Sequence, residues 1–345
     1  MIDLRSDTVT LPSNKMKEFI LRAPLGDDVY GEDPSINQLQ EQSADIFNKE
    51  AALFVPSGTM ANLISVLTHC NRGDKILVGN KSHIFYYEAG GVSSLGGIHS
   101  HQLNNNDDGT INIDDITNNI RQLGNNHYPI TRLLCLENTH NFCYGTPIPM
   151  EYFIKVKNLL NLHNIKMHLD GARIFNASVA LKIPVSKLAQ NADSISCCLS
   201  KGLSAPVGSI ILGNKDFILE AKKIRKALGG GMRQAGILAA GGIFSLNNMI
   251  ERLEEDHENA KLLAEKLLGI KGLSIDINKV QTNIIFIHLE NKNLSDKEFL
   301  EKLNKNNIKI DYKGNRKFRL VTHYNFTKSK INTVETVIHN ILKDY

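Results

Sequence analysis

Between residues 50 and 215, short apolar runs alternate with longer stretches in which apolar residues return every three or four positions. The candidate strands are 75–78, 98–103, 132–136, 165–169, 194–199 and 208–212. The periodic stretches are 35–47, 59–69, 113–122, 150–163 and 216–227. A strand buried on both faces reads as a continuous apolar run, whereas a helix covering a core reads with a period near 3.6. The alternation therefore predicts βαβ units, a mostly parallel sheet and a helical cover. From about residue 251 the pattern changes. A charged amphipathic helix is expected over 252–270, a strand over 282–289, a helix over 296–305, a strand over 318–322 and a final helix over 331–342. The expected division is a large domain, residues 1–250 with an N-terminal segment 1–34, and a small C-terminal α+β domain, residues 251–345. The segments 103–109 and 124–129 are rich in Asn, Asp and Gly and read as surface turns.

Composition narrows the function classes. A chain of 345 residues with a net charge of +4 can bury a large core and carries no strong electrostatic footprint. No basic stretch is interleaved with aromatics, so a nucleic-acid partner is not expected. No apolar segment approaches the roughly 18 residues that a membrane span needs. The opening Met1–Asp7 stretch is charged and lacks the apolar region of a signal peptide. Five cysteines, an odd number without CxxC spacing, read as reduced thiols in a cytoplasmic protein.

The chemistry gathers at the ends of the apolar runs. Lys201 follows one run in Leu199-Ser200-Lys201-Gly202, and Asp170 closes another, thirty-one residues earlier, in His168-Leu169-Asp170-Gly171-Ala172-Arg173. In open α/β sheets, ligands sit beyond the carboxyl ends of strands, which brings a lysine and an acid to one edge. Pyridoxal phosphate uses that pair, the lysine for a Schiff base and the acid to keep the pyridine nitrogen protonated. Each has a plainer reading, a surface lysine and a helix-capping aspartate. The segment Pro56-Ser57-Gly58-Thr59 turns out of an apolar run into a helix, and its free amides suit a phosphate, although a simple helix cap explains it as well. His83 and His140 each follow a run and could share the cleft, one of them stacked on a ring. His99 and His101 fall within a run without acidic or thiol neighbours at ligand spacing, so no metal site is expected. Arg173, Arg319 and Arg233 are candidates to grip a carboxylate, and Gly229-Gly230-Gly231 before Arg233 suggests close backbone approach to a ligand or another chain.

Taken together, these segments resemble the L-threonine aldolase family, low-specificity type, of fold type I pyridoxal-phosphate enzymes. The resemblance rests on Asp3–Thr10, Gly26-Asp27-Asp28-Val29-Tyr30-Gly31, Pro56–Asn62, Glu137-Asn138-Thr139-His140, Asp170–Arg173, Leu199–Leu203 and Gly229–Gln234. It implies an aspartate-aminotransferase-like fold: a mostly parallel seven-stranded sheet with helices on both faces, plus a small C-terminal domain. It implies retro-aldol cleavage of L-threonine or L-allo-threonine to glycine and acetaldehyde. Lys201 would carry the Schiff base and Asp170 the pyridinium. Ser57, Gly58, Thr59, Arg173 and Ser200 would complete the cofactor site, and His83 would stack on the ring. Ser6, Arg173 and Arg319 would surround the substrate carboxylate, with His140 near its hydroxyl. His83, His140 and a bound water are the base candidates. Family members work as homodimers or homotetramers with sites at chain interfaces, across which Tyr30, Tyr87 or Arg233 could be donated. Phe142-Cys143-Tyr144 stands where more polar residues are expected. Two rivals share the constellation: an aminotransferase or β-eliminating lyase, which a keto-acid or ammonia product would reveal, and a non-catalytic binding protein on the same fold.

Overall fold

The computed structural model describes residues 1–120 and 126–345. The strand β1 (Ile2–Asp3) leaves the chain's start, and the central sheet follows: β2 (Ala51–Val55), β3 (Lys75–Gly79), β4 (His99–Leu103), β5 (Thr131–Glu137), β6 (Lys166–Asp170), β7 (Ser194–Cys198) and β8 (Ser209–Gly213). Their order is β2-β8-β7-β6-β5-β3-β4. β8 runs antiparallel to both of its neighbours, and every other pairing is parallel. This is the mostly parallel seven-stranded sheet that was expected. β3, β7 and β8 are buried at every position, which is why they show no alternation, apolar residues being interrupted only by Lys75, Ser194, Ser196 and Ser209. β4, at the edge, is largely polar and partly exposed.

The C-terminal layer holds β9 (Leu273–Ser274), β10 (Ile284–Leu289), β11 (Ile308–Lys309), β12 (Asp311–Tyr312) and β13 (Lys317–Val321). β12, β13, β10 and β9 form an antiparallel sheet in that order, while β11 pairs in parallel with β1. The helices Leu253–Leu268, Asp296–Lys305 and Lys328–Lys343 cover it. Leu4 joins this core, packed with residues such as Leu320 and Ile331, and the Val321 amide donates to the Leu4 carbonyl at 2.8 Å. The chain's first residues are thus held by its last layer, which brings Asp7 against Arg173 and Asn283 between the two cores.

The periodicity does not mark every element; the helices Asn14–Leu21 and Ile174–Leu181 are among those it leaves out. β2, in sequence an apolar run ahead of a turn, is an edge strand of the sheet. The helix Gly236–Asn248 is buried around most of its circumference, against the helices Pro34–Phe47 and Asn14–Leu21, so it has no polar face to mark it. The helix expected over 113–122 runs Ile113–Asn119. Its expected end, like part of the turn at 124–129, lies outside the described residues.

Candidate active site

The sheet sends its chemistry to one edge. Asp170 is the last residue of β6, level with Glu137 on β5 and Ser196 on β7. Beyond the same ends lie Ser57 after β2, His83 after β3, His140 after β5, and Ser200 and Lys201 after β7. Gly58 permits this closeness on one side, since a Cβ there would lie 2.7 Å from the Cys198 sulfur. The helix Gly58–His69 therefore opens against the end of β7. Ser57 caps it, its Oγ accepting from the Met60 amide at 3.2 Å, and the amides of Gly58 and Thr59 stand at the start of the helix dipole.

Asp170 is 2% exposed. Its Oδ1 accepts from the Ala172 amide at 3.0 Å, and its Oδ2 accepts from Asn62 Nδ2 at 2.9 Å. Burial alone would raise its pKa, but the charges of His83 and Lys201 and these hydrogen bonds outweigh it, and the carboxyl is held below its ordinary range. The half-buried Lys201 also helps to depress Asp7. His83 opens the short helix His83–Tyr86. Its Nδ1 donates to Glu88 Oε1 at 2.8 Å, its amide donates to Glu137 Oε2 at 2.8 Å, and its ring lies 5.5 Å from that of Tyr87. The nearest ligand atoms of His83, Glu88 and Asp170 lie within 4.8 Å of one another.

On the other side of the cleft two buried arginines meet. Arg173 binds Asp7 through Nε at 2.8 Å and Nη2 at 2.7 Å. Burial would raise the Asp7 pKa, yet Arg173 holds it well below the usual carboxylate range. Arg173 Nη1 and Arg319 Nη1 both donate to Asn141 Oδ1, at 3.2 and 2.5 Å. Arg319, on β13, also binds Asp311 at 2.9 Å and the Arg5 carbonyl at 3.0 Å. Burial, and next the Arg173 charge, push the Arg319 pKa down. Two adjacent guanidiniums in a dry site favour an anion between them. His140 is fully buried, and neither ring nitrogen has a hydrogen-bond partner among the described residues.

The profile of the beta-eliminating lyase family matches residues 3–291. The chain is 47% identical to low-specificity L-threonine aldolase 1 of Arabidopsis thaliana, covering 96% of this chain and 93% of that one. It is 43% identical to the low specificity L-threonine aldolase of Escherichia coli K12, covering 97% of each. The chain belongs to the low-specificity L-threonine aldolase family. Its fold matches that of a threonine aldolase from Leishmania major at a TM-score of 0.84 and 17% identity, covering 99% of this chain and 100% of that one.

For a threonine aldolase fold the donor set suits pyridoxal phosphate: a buried acid kept ionised, a lysine close to it, a helix start for the phosphate, and an unpartnered buried histidine. Ser6 is occupied locally, its Oγ accepting from the Thr8 amide at 3.2 Å, beside Asp7. Tyr87 accepts from Lys313 Nζ at 3.2 Å, and Arg233 pairs with Asp27 at 3.0 Å within the same chain. Tyr30 is 75% exposed. Sequence reading missed Asn62, Glu88, Asp7, Asn141 and Asp311. A signal did exist for one of them, since Asn62 is a polar amide within the mostly apolar stretch Ala61–Val66.

Proposed function

We propose that this chain cleaves L-threonine and L-allo-threonine to glycine and acetaldehyde with pyridoxal phosphate as cofactor. The single observation that carries the geometry is the seating of His140 one residue from Asn141, where Arg173 and Arg319 converge. A carboxylate gripped there brings an amino acid's β-carbon within the neighbourhood of an unpartnered imidazole. The cofactor supplies an electron sink for the pair released when Cα–Cβ breaks. Lys201 would anchor it, Asp170 would face its ring nitrogen, His83 its ring, and Gly58, Thr59, Ser57 and Ser200 its phosphate end. Arg173 and Arg319 orient the substrate so that Cα–Cβ is the bond that breaks. His140 removes the β-hydroxyl proton, acetaldehyde leaves, and a proton delivered to Cα completes glycine. This is an aldehyde-lyase reaction serving threonine catabolism and glycine biosynthesis.

The exposed Tyr30 and the Arg233 segment support assembly as a homodimer or homotetramer with the site near the interface. Five unpaired, buried cysteines suit a reducing cytoplasm, and among the described residues no helix is long and apolar enough to cross a membrane.

The test is an assay for glycine and acetaldehyde on both diastereomers, beside Lys201→Ala. The variant is expected to lose both the visible absorbance of lysine-bound cofactor and all turnover. Ammonia or a keto acid from the wild type would refute the aldolase reading, and a variant that retains colour and turnover would refute the role of Lys201.

A further inference from the structure

Asn62 sits in the second turn of the helix Gly58–His69, fully enclosed. Its Nδ2 donates to Asp170 Oδ2 at 2.9 Å and to Glu88 Oε1 at 2.8 Å, so both amide protons are used. Its Oδ1 accepts from Ser196 Oγ at 2.7 Å and lies 3.1 Å from His168 Nε2. The rest of the chain of bonds follows by counting donors. His168 Nε2 must carry the proton that Asn62 Oδ1 accepts. His168 Nδ1 is then an acceptor, filled by the Ser194 hydroxyl at 2.8 Å, and His69 Nε2 donates to the Ser194 oxygen at 2.8 Å. Burial holds both histidines neutral, with the His168 pKa down to about 4 and that of His69 to about 3. A flipped Asn62 amide would set Nδ2 against two donors and leave Asp170 and Glu88 facing an oxygen. One orientation survives.

Glu88 is also buried, and its Oε1 accepts twice, from Asn62 and from His83 Nδ1. We propose that Asn62 and Glu88 are positioning residues: one amide ties Asp170 to Glu88, Glu88 holds His83 by Nδ1, and the acid and the histidine are fixed in a single frame that leaves only His83 Nε2 for chemistry. This rests on the reading above that Asp170 and His83 meet the cofactor. The groups facing His83 are Glu88, Asp170, Glu137, Lys201 and the Tyr87 ring. Burial pulls its pKa down, but the Glu88 bond, then Asp170 and Glu137, carry it above the ordinary histidine value against the opposition of Lys201.

Glu88→Gln tests the proposal, because it keeps an oxygen for both donors and removes the charge. Histidine NMR titration of the cofactor-free protein, with His83 assigned by its loss in His83→Asn, is expected to show the His83 pKa falling by about one unit or more. In the holoenzyme, where the charge of His83 bears on the ring it faces, the acid-side inflection of kcat/KM for threonine should also move down. Glu88→Asp, which keeps the charge but withdraws it by one methylene, should move both in the same direction by less, and it serves if Glu88→Gln does not fold. An unmoved His83 titration in both variants overturns the proposal, as does a rate lowered equally at every pH with the inflection in place. A wild type that makes no glycine would refute the aldolase reading instead, and would leave the NMR result standing.

Discussion

The two sides of the cleft satisfy their polar groups differently. Around Asp170, the side chains of Asn62, Ser196, His168 and Glu88 each find a partner within the protein. Around the arginines, among the described residues, His140 has two buried ring nitrogens without partners, and Arg319 Nε and Thr139 Oγ1 are likewise unpartnered. Buried polar groups without partners cost on the order of 1–3 kcal/mol each, and a fold keeps such groups where a ligand completes them. On the proposed reading the closed network would present a fixed charge to a cofactor held for many turnovers, and the open one would receive a substrate that enters and leaves. Permanence of the ligand and completeness of the hydrogen bonding would then go together.

The largest effect should come from breaking the closed side. Asp170→Asn replaces an acceptor-only oxygen with an NH2 that meets the Asn62 amide donor to donor, and it removes the charge that His83 and Lys201 sustain. Turnover is expected to fall by about 10²-fold or more, with the cofactor still bound. Steady-state kinetics beside the visible spectrum measures both, and a near-normal kcat would reduce Asp170 to the cap of its own turn through the Ala172 amide.

Breaking the open side should cost less and in a different parameter. Arg319→Ala leaves Arg173 in place through Asp7, so the substrate keeps one guanidinium of two. KM for threonine should rise and kcat should fall, together about ten- to a hundredfold in kcat/KM, while the spectrum of the resting enzyme stays the same. An unaltered KM would shift the grip to Arg173 alone.

The same contrast explains what could be read from the residues alone. Strands buried on both faces announced themselves, and the functional groups at their ends could be placed by the rule that ligands lie beyond carboxyl ends. The positions of Asp170, His83, His140 and Lys201 at one edge of the sheet were legible for that reason. The frame that holds them was not. Glu88 lies five residues past His83 on a different turn, and Asp7 meets Arg173 across 166 positions of chain. Such pairs exist only after β1 has joined β11 and the helix Gly58–His69 has folded onto β7. Hydrophobic periodicity says nothing about them, just as it missed the helix Gly236–Asn248, whose surroundings are apolar on nearly every side. Asn141 directly follows the Glu137–His140 segment, but its role as the meeting point of two arginines depends on β13, contributed by the other layer.

A finer break on the open side goes through Gly109. Its φ is +86°, a region disfavoured for residues with a Cβ, and an added Cβ would lie 2.5 Å from His140 Cβ. Gly109→Ala should therefore cost about 1–2 kcal/mol of stability and displace the imidazole, lowering kcat by roughly three- to tenfold on the same reasoning about misplaced groups. KM and the cofactor spectrum should hold. Thermal melting beside steady-state kinetics reads both, and a full kcat in a destabilised variant would separate His140's position from its chemistry.

The smallest effect concerns stability and pH, and it probes how complete the closed side is. His168 is an acceptor at Nδ1 only while neutral, and protonation would turn that nitrogen into a donor facing the Ser194 hydroxyl. Burial lowers its pKa to about 4, and those of His69 and His257 to about 3 and about 4, against 6.5 when unfolded. Between these limits the unfolded chain binds more protons than the native one, so stability is full above pH 6.5 and falls as the pH drops toward 4. Each histidine contributes at most about 1.4 kcal/mol per pH unit. Asp256, pushed up to about 6 by burial, and His83, raised above the ordinary histidine value by Glu88 against its burial, run the other way, because the native state takes their protons first, and they offset part of the histidines' share. Urea unfolding at pH 7.5 and 5.5 should therefore show a lower midpoint at the acid value. In His168→Gln, which cannot titrate, the gap between the two midpoints should narrow. An unchanged gap would mean that the network accommodates a charged His168, and that the contrast between the two sides of the cleft is weaker than their hydrogen bonds suggest.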